Sequence, residues 1–526
     1  MIYNENQKRP VRFFNTTGPC NPLDHYMLPP EERLVGAQLS RYIRDKLYWV
    51  LHAPRQTGKT TFLQNWSREI NAGNDAIACY VTVERCQGIA EPERAMQPLY
   101  DAIRIWAERG GLPVPKVEGQ AYQSMLNAIL TEWAKQVAPK PLIVLFDEVD
   151  VLVGDTLISF LRQLRDGFAE RGAGKFPVSV ALVGMWDLKD YITAAKGGAA
   201  PNPGSPFNIK TDSVLLSNFH KDDVARLFAQ HTEETGQQIT QEAFEYVYEQ
   251  SKGQPWIVNS LFQRATMRVL DEDDYQPVTI EHIRQAREQM IQARETHLDA
   301  LAVRLNDKQV YKIIETLMVG EPDMFLTQSD AFAYCLDLGL VSKEGGTPQV
   351  ANPIYREVLA RQFTQGTQDA IIQPEWKWEN EDGSLDMDSL LKEFQKFWRA
   401  NSEIWEQKMD YTEAFPHLLL QAFLQRVLNG GGRIDREYAA GRGRMDLAVE
   451  FRSKIYIIEI KLIYDYSSPK KVKAQGLEQI AKYRDMIDEK APAYLVIFDR
   501  RSKGKKPSWN KRLTWAEEDG ITVVGC

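Results

Sequence analysis

Residues 53–60 (Ala-Pro-Arg-Gln-Thr-Gly-Lys-Thr) follow a short apolar run and precede a helical pattern. A glycine-containing loop that leads into a helix exposes backbone N–H groups, and the helix dipole there favours an anion. Gly58 lets the backbone approach that anion, the Lys59 ammonium can reach terminal phosphates, and the Thr60 hydroxyl is suited to ligate Mg²⁺. These residue types and spacings predict a site for a phosphate-rich ligand.

A second pattern lies at residues 141–148, an apolar strand that ends in two carboxylates. Such a strand directs Asp147 toward a Mg²⁺ shell, and Glu148 can orient or deprotonate an attacking water. The two patterns are the Walker A motif, with Ala53 in place of its first glycine, and the Walker B motif. We therefore predict that ATP and Mg²⁺ bind here, with Thr60 and Asp147 on the metal and Glu148 catalytic. The predicted nucleotide-binding residues are Ala53, Thr57, Gly58, Lys59, Thr60, Thr61 and Asp147.

Residues 10–270 resemble the bacterial and archaeal AAA-type ATPases that are grouped with the STAND class of signalling NTPases. The tetrapeptide Gly253-Gln-Pro255-Trp stands where that class has its Gly-x-Pro motif, on a helical lid after the nucleotide domain. The resemblance implies that Pro255 lies near the nucleotide. The alternative is that glycine ends one helix and proline begins the next. Asp187, which follows a strand-like run, is either a sensor of the γ-phosphate or a helix N-cap.

A second constellation of chemical residues lies toward the carboxyl end. Asp446 precedes Glu459 by thirteen residues, and Lys461 follows two residues later within an apolar run. The period-two alternation of a strand puts Glu459 and Lys461 on one face, with Ile458 and Ile460 on the opposite, buried face. Charges in so apolar a strand need compensation. The two carboxylates can hold Mg²⁺, and the lysine can assist hydroxide formation and stabilise developing phosphate charge.

The elements expected around these residues are a helix, three strands, a helix and a strand. Their predicted bounds are 412–428, 433–439, 445–451, 454–462, 473–488 and 493–498. This αβββαβ order and the pattern Asp446…Glu459-x-Lys461 resemble the PD-(D/E)XK nucleases, which have a restriction-endonuclease-like core. The resemblance implies Mg²⁺-dependent cleavage of phosphodiester bonds in DNA or RNA, with those three residues catalytic and the two acids on the metal. The alternative is a solvated edge strand that bears an ion pair.

Further residues are assigned by the same resemblance. An upstream acid often completes the metal site in that superfamily, and Glu437, on the first strand, is favoured over Glu413, on the first helix. Gln479-x-x-x-Tyr483 matches a helix pattern that supports the active site or contacts nucleic acid in some branches. The spacing places both residues on one helix face, so a structural role is an equal alternative.

The net charge is unevenly distributed along the chain. Residues 401–526 hold 22 Lys and Arg against 18 Asp and Glu, whereas the rest of the chain holds 42 against 54. Basic clusters with interleaved tryptophans can neutralise phosphates and stack on bases, although such runs are often solvated loops. The residues concerned are Lys470, Lys471, Lys473, Arg500, Arg501, Lys503, Lys505, Lys506, Trp509, Lys511, Arg512 and Trp515. We therefore expect a nucleic-acid partner at the C-terminal domain.

Length and composition bound the architecture. A chain of 526 residues predicts about three to four domains at roughly 150 residues each. Its apolar runs are strand-sized, which predicts no membrane partner, and five scattered cysteines favour a reducing cytoplasm. Alternating strands and helices predict an α/β multidomain fold with a parallel sheet. The predicted domains are a P-loop ATPase core (1–218), a helical lid (219–300), a winged-helix-like module (301–363), a linker (364–400) and a nuclease-like domain (401–526).

These features predict an ATP-binding and ATP-hydrolysing regulator coupled to a Mg²⁺-dependent nuclease. A role in defence against foreign nucleic acid is an inference from the architecture only. One alternative is a nucleotide-dependent signalling or scaffold protein whose nuclease-like domain only binds nucleic acid. Another is a nucleic-acid motor such as a helicase or clamp loader. The sequence leaves a homo-oligomer open.

Overall fold

The protein packs as two compact units, Met1–Leu301 with Met324–Tyr355, and Ala302–Asp323 with Arg356–Cys526. A computed structural model supplies its structure. The residues it describes are 12–185, 209–293, 296–319, 324–344, 346–359, 362, 378–380, 382–408, 419–421, 423–424, 432–440, 443–452, 454–464, 467–499, 501 and 507–526.

The first unit is built on a parallel sheet, as the alternation of strands and helices predicts. Its strands are β1 (Tyr48–His52), β2 (Ile77–Thr82), β3 (Leu142–Asp147), β4 (Ser179–Gly184) and β5 (Lys210–Leu215). They pair in the order β2-β3-β4-β1-β5, and all neighbours are parallel. Every residue of β3 and β4 is buried, which explains why these strands are continuous apolar runs rather than alternating ones.

Helices cover both faces of this sheet. They are α1 (Leu39–Arg44), α2 (Lys59–Gly73), α3 (Pro92–Arg109), α4 (Met125–Val137) and α5 (Gly154–Phe168). One core packs side chains of α3, α4 and α5 against the sheet, and the other packs α1 and α2 against the opposite face. The crossover from β1 through α2 therefore fixes the intervening loop at the carboxyl edge of the sheet.

A group of helices follows β5, and all of it up to Leu301 belongs to the first unit. They are α6 (Lys221–Thr235), α7 (Gln241–Ser251), α8 (Pro255–Arg264), α9 (Ile280–Gln292) and α10 (Thr296–Arg304). Gly253 joins α7 to α8 with φ of +73°, and its carbonyl accepts a hydrogen bond of 2.8 Å from the backbone N–H of Phe219. This contact ties the start of α8 to the segment that leaves the sheet.

The remaining described part of the first unit contains a helix and a hairpin. Helix α12 (Asp330–Asp337) precedes β6 (Val341–Glu344) and β7 (Thr347–Val350), which pair antiparallel. Helix α11 (Lys308–Val319) belongs to the second unit.

The second unit contains a mixed sheet. Its strands are β8 (Gly432–Ala440), β9 (Gly443–Phe451), β10 (Lys454–Ile463), β11 (Ala493–Asp499), β12 (Trp515–Glu518) and β13 (Ile521–Gly525). The order is β12-β13-β11-β10-β9-β8, with β11 parallel to both β10 and β13 and the other pairs antiparallel. The central strand β10 is covered on both faces, because its alternate residues belong to two separate cores.

Helices flank this second sheet. They are α13 (Met387–Lys408), α14 (Pro469–Ile487) and α15 (Trp509–Arg512). The predicted succession of three strands, a helix and a strand corresponds to β8, β9, β10, α14 and β11. Most of the helix predicted at 412–428 lies outside the described residues, and α13 begins within the segment predicted as a linker. Within the described ranges, no helix is both long and apolar enough to cross a bilayer.

Gly236 and Gly253, which follow the ends of α6 and α7, give a matched test of this packing. A Cβ at Gly253 would lie 1.9 Å from the Phe219 carbonyl oxygen, whereas a Cβ at Gly236, with φ of +83°, meets nothing within 4 Å. Gly236→Ala should cost about 1–2 kcal/mol, which is the cost of left-handed backbone. Gly253→Ala should cost more than about 4 kcal/mol, because backbone must also move. Thermal unfolding measures both, and equal losses would contradict the proposed close approach.

Candidate functional site

The loop between β1 and α2 is held in shape by its own side chains. The Lys59 ammonium donates to the carbonyl oxygens of Ala53 (2.7 Å) and Pro54 (2.8 Å), and the Thr57 hydroxyl donates to Pro54 (2.9 Å). Gly58 adopts φ of +99°, a left-handed conformation that disfavours a side chain. The loop therefore closes around its own backbone at the start of α2, where helix N–H groups are available to an anion.

The two predicted magnesium ligands of the first unit lie together. The Thr60 hydroxyl donates a 2.6 Å hydrogen bond to Asp147 Oδ2, and the Tyr80 hydroxyl donates to the same oxygen at 3.2 Å. Burial raises the pKa of Asp147, which is 1% exposed, and burial lowers the pKa of the Lys59 ammonium, while the two opposite charges favour each other's ionised form. A hydroxyl and a carboxylate in contact form an oxygen donor set of the kind that Mg²⁺ prefers.

Glu148 is displaced from the line of the strand. Its φ of +60° starts a short 3-10 helix, and its carboxylate accepts a 2.6 Å hydrogen bond from the Thr82 hydroxyl at the end of β2. The next acid, Asp150, lies close enough to Lys59 for their charges to interact, and burial raises its pKa. Thr82, Tyr80 and Asp150 were not predicted from the sequence, although the spacing Asp-Glu-x-Asp was a local signal for Asp150.

A pocket of about 110 Å³ opens beside the loop. Its lining comes from three parts of the first unit: the N-terminal segment, the loop, and the start of α8 with nearby residues. The lining includes Asn15, Cys20, Tyr26, Arg33, Gln56, Thr57, Gly58, Thr61, Phe219, Pro255, Trp256 and Asn259. Thr57, Gly58, Thr61 and Pro255 thus share one cavity, as a common ligand would require. Trp186 and Asp187 lie outside the described residues.

The residues singled out near the carboxyl end also come together. Antiparallel pairing of β9 with β10 sets Leu447 opposite Ile458, so that the register brings Asp446 across from Glu459. The Asp446 carboxylate accepts a 2.7 Å hydrogen bond from the backbone N–H of Ile460, and the Lys461 ammonium lies 2.8 Å from Glu459 Oε1.

Glu459 is the most constrained of these groups. It is 2% exposed, and its Oε2 atom has no hydrogen-bond partner within the described structure. Burial and the charge of Asp446 raise its pKa to about 7, and Lys461 opposes that rise. A buried carboxylate oxygen without a partner, next to a second carboxylate, fits a divalent cation bound by hard oxygen ligands.

The two faces of β10 differ from the simplest expectation. Ile458 and Ile460 pack into one core, as the alternation predicts. The face that bears Glu459 is also largely covered, because Ile457 packs there with Ile480 and Tyr483 of α14. Lys461 is 23% exposed in its side chain, so the site opens to solvent at the lysine.

Helix α14 contributes to the surroundings of the carboxylates. Burial raises the pKa of Tyr483 to about 12, and the charges of Glu459 and Asp446 act in the same direction. Gln479, one turn earlier, has a buried Oε1 atom without a hydrogen-bond partner in the part of the chain described. The predicted Gln-x-x-x-Tyr pair therefore lies on the helix that covers the site.

The predicted third acid is placed only by its backbone. Pairing of Arg436 with Leu447 and of Tyr438 with Met445 puts Glu437 of β8 across from Asp446. Its side chain, and all of Glu413, lie outside the described residues. Among the described residues, no group of three or more His, Cys, Asp or Glu side chains is arranged to hold a metal ion. The predicted metal ligands whose side chains are described are therefore Asp446 and Glu459.

Several basic residues that were predicted to contact nucleic acid form ion pairs or a ring contact in the structure, and others lie outside the described residues. Lys473 pairs with Glu518, and Arg501 forms a two-pronged ion pair with Asp499. The Arg512 guanidinium stacks 3.5 Å from the centre of the Trp509 ring. Arg500, Lys503, Lys505 and Lys506 lie outside the described residues.

Part of the second unit matches a known protein family. Residues 411–497 match the PD-(D/E)XK nuclease superfamily. This segment contains Asp446, Glu459 and Lys461, and it confirms the predicted resemblance. No curated protein matches the chain.

Solved structures resemble the N-terminal part of the chain. They include the Walker-type ATPase PABY2304 of Pyrococcus abyssi (14% identity, 66% of this chain and 99% of that chain, TM-score 0.47). Cdc6p from Pyrobaculum aerophilum (13%, 62% and 91%, TM-score 0.35) and the RuvB Holliday junction branch migration motor of Thermotoga maritima (14%, 61% and 90%, TM-score 0.32) are further examples. These neighbours are P-loop ATPases. At 13–14% sequence identity the likeness concerns the fold alone and does not extend to activity or partners.

The pKa of Glu459 generates a test of metal binding. Below about pH 7 the carboxyl group is protonated, so that a cation must displace a proton. The affinity for Mn²⁺ should therefore fall about tenfold for each pH unit below 7 and level off above it. Calorimetric titration of the full chain at pH 6, 7 and 8 measures this.

Two variants assign that binding event to its site. Glu459→Gln should abolish it, whereas Asp147→Asn, which removes a carboxylate from the other site, should leave it intact. Unchanged Mn²⁺ affinity in Glu459→Gln would show that the pair does not hold the metal.

Proposed function

We propose that this protein is an ATP-binding and ATP-hydrolysing regulator coupled to a Mg²⁺-dependent nuclease that acts on DNA or RNA. The observation that carries the proposal is the cluster of Asp446, Glu459 and Lys461, with one buried carboxylate oxygen left without a partner among the described residues. The match to the PD-(D/E)XK nuclease superfamily supports it. The second support is the contact between Thr60 and Asp147 beside a phosphate-binding loop.

Each residue of the first site has a role in the proposed ATP chemistry. The loop N–H groups and Lys59 bind the phosphates, and Thr60 and Asp147 hold Mg²⁺. Glu148 orients the attacking water and takes its proton, which requires the carboxylate to leave the hydroxyl of Thr82 or to act beside it. Pro255 closes the pocket from the lid side.

The second site performs phosphodiester cleavage in this proposal. Asp446 and Glu459 hold Mg²⁺, with Glu437 as a third ligand by its strand register. Bound Mg²⁺ polarises a phosphoryl oxygen and lowers the pKa of a water molecule. Lys461, at the exposed end of the site, stabilises the negative charge that develops on the scissile phosphate. Its ion pair with Glu459 orients the ammonium before substrate arrives.

The organisation of the chain is part of the proposal. We assign residues 1–218 to the ATPase core, 219–300 to a lid, 301–363 to a winged-helix-like module, 364–400 to a linker and 401–526 to the nuclease. The α12 helix and the β6–β7 hairpin support the winged module. The combination of an ATPase and a nuclease suggests a cytoplasmic role in defence against foreign nucleic acid. In this proposal the ATPase part belongs to the STAND class of signalling ATPases.

Single substitutions separate the two activities. Lys461→Met should reduce cleavage of labelled nucleic acid by at least about a hundredfold, because the variant lacks the ammonium that stabilises negative charge on the phosphate in the transition state. ATP binding should be retained. Lys59→Ala should have the converse effect on ATP binding. The assay uses single- and double-stranded DNA and RNA, with Mg²⁺ and with or without ATP.

Lys482→Met is the matched control, because Lys482 forms an ion pair with Glu478 on the exposed side of α14. It should cleave as the wild type does. Full cleavage by Lys461→Met would refute the site. Binding of nucleic acid without cleavage in the wild type, with any of Mg²⁺, Mn²⁺ or Ca²⁺, would favour the alternative of a nucleotide-dependent switch.

A further inference from the structure

A buried arginine from the N-terminal segment reaches the phosphate-binding loop. Arg33 ends the 3-10 helix Pro30–Arg33 and is 6% exposed. Its Nη2 atom donates to the carbonyl oxygen of Thr57 at 2.8 Å, and its Nη1 atom donates to that of Ser217 at 2.9 Å. The guanidinium also lies 4.8 Å from the centre of the Phe219 ring. No sequence motif marked this residue.

Arg33 is buried without an ion-pair partner among the described residues, although the charge of Asp223 favours its ionised form. Its Nε atom has no hydrogen-bond partner among those residues. The nearby Asp223 carboxylate is already bound to the backbone N–H of His220 (2.9 Å) and to Arg226 (3.3 Å). A buried cation without a counter-charge is destabilising, so its retention beside a pocket points to an anionic ligand.

The contact with Thr57 acts directly on the loop. The Thr57 carbonyl and the Gly58 N–H belong to the same peptide group. A charged donor at the carbonyl polarises that group and makes its N–H a stronger donor. A Cβ at Gly58 would lie 2.9 Å from Arg33 Nη2, so glycine is needed here for the arginine as well as for the ligand.

The arginine is also fixed from its other side. The Ser217 backbone N–H and hydroxyl both donate to the Arg33 carbonyl oxygen at 3.0 Å. Because Arg33 lines the pocket with Gly58 and Thr61, its guanidinium is pre-positioned beside the space that a nucleotide in the loop would occupy.

We propose that Arg33 is a positioning residue for the nucleotide, which polarises the Thr57–Gly58 peptide and receives its counter-charge from the bound phosphates. This inference rests on the proposed ATP-binding function. It assigns to the N-terminal segment a direct part in nucleotide affinity.

The test compares charge with structure in the full-length chain. Arg33→Met and Arg33→Gln remove the charge, and Arg33→Lys keeps it. The matched control is Arg94→Met, since Arg94 is an exposed arginine of α3 that pairs with Glu91. The measurements are titration with a fluorescent ATP analogue at low and high salt and thermal unfolding without nucleotide.

The neutral variants should bind the analogue about tenfold or more weakly, with a smaller salt dependence, because a charged hydrogen bond is worth about 1.5–3 kcal/mol. Their unfolding midpoints without nucleotide should stay close to that of the wild type, because relief of a buried unpaired charge offsets the loss of its two hydrogen bonds. Arg33→Lys should bind within about threefold of the wild type, and Arg94→Met should be unchanged.

Wild-type affinity in Arg33→Met or Arg33→Gln would overturn this inference and leave the proposed ATP binding intact. Two other outcomes would show a structural role and would also overturn the inference. In one, both neutral variants are unfolded. In the other, the neutral variants lose stability and affinity together, and Arg33→Lys restores both. Absence of ATP binding in the wild type would overturn the proposed function and the inference together.

Discussion

A carboxylate buried in an apolar strand is costly to ionise unless other groups compensate its charge, and this constraint applies to both candidate sites. Asp147 ends β3 and Glu459 lies within β10, with 1% and 2% of their surfaces exposed. Neither position serves packing, because a leucine would fill the same space without the desolvation cost. The partners that each carboxylate gathers therefore indicate what it binds.

The two carboxylates are compensated in different ways. Asp147 receives hydrogen bonds from the hydroxyls of Thr60 and Tyr80 and from the backbone N–H of Glu148, so both of its oxygens are occupied. Glu459 has a lysine on one oxygen and no hydrogen-bond partner on the other within the described structure. In the proposed function a cation would replace the hydroxyl contact at Asp147, whereas at Glu459 it would bind the oxygen that has no hydrogen-bond partner.

The residues that could be predicted from sequence are those whose roles depend on near neighbours along the chain. The loop containing Lys59, the strand ending in Asp147 and the alternation of Glu459 with Lys461 each follow from local spacing, and the structure places them as expected. The succession of strands around Asp446 was also readable, because strand and helix periodicities differ over short windows.

What the sequence could not supply is contact between distant segments. Arg33 meets Thr57 across 24 residues and Ser217 across 184, and Tyr80 meets Asp147 across 67. No periodicity encodes such contacts, since they depend on the strand order β2-β3-β4-β1-β5. The burial of both faces of β10 was not predicted for a related reason. Alternating isoleucines indicate one buried face, but burial of the other face depends on helices that pack there from distant parts of the chain.

Each site contains a buried charged group that lacks a full set of partners among the described residues, and these two groups have opposite charges. At the first site a buried arginine contacts carbonyl oxygens and an aromatic ring, which leaves positive charge beside the phosphate-binding loop. At the second site two carboxylates share one lysine, which leaves negative charge on the strand pair β9 and β10. A polyphosphate would supply a negative counter-charge at the first site, and a divalent cation would supply a positive one at the second. Without a ligand, the folded protein bears the cost of the buried charge at each site. Nucleotide and metal should therefore each stabilise the unit that binds it. The size of that stabilisation measures how far each site is preorganised.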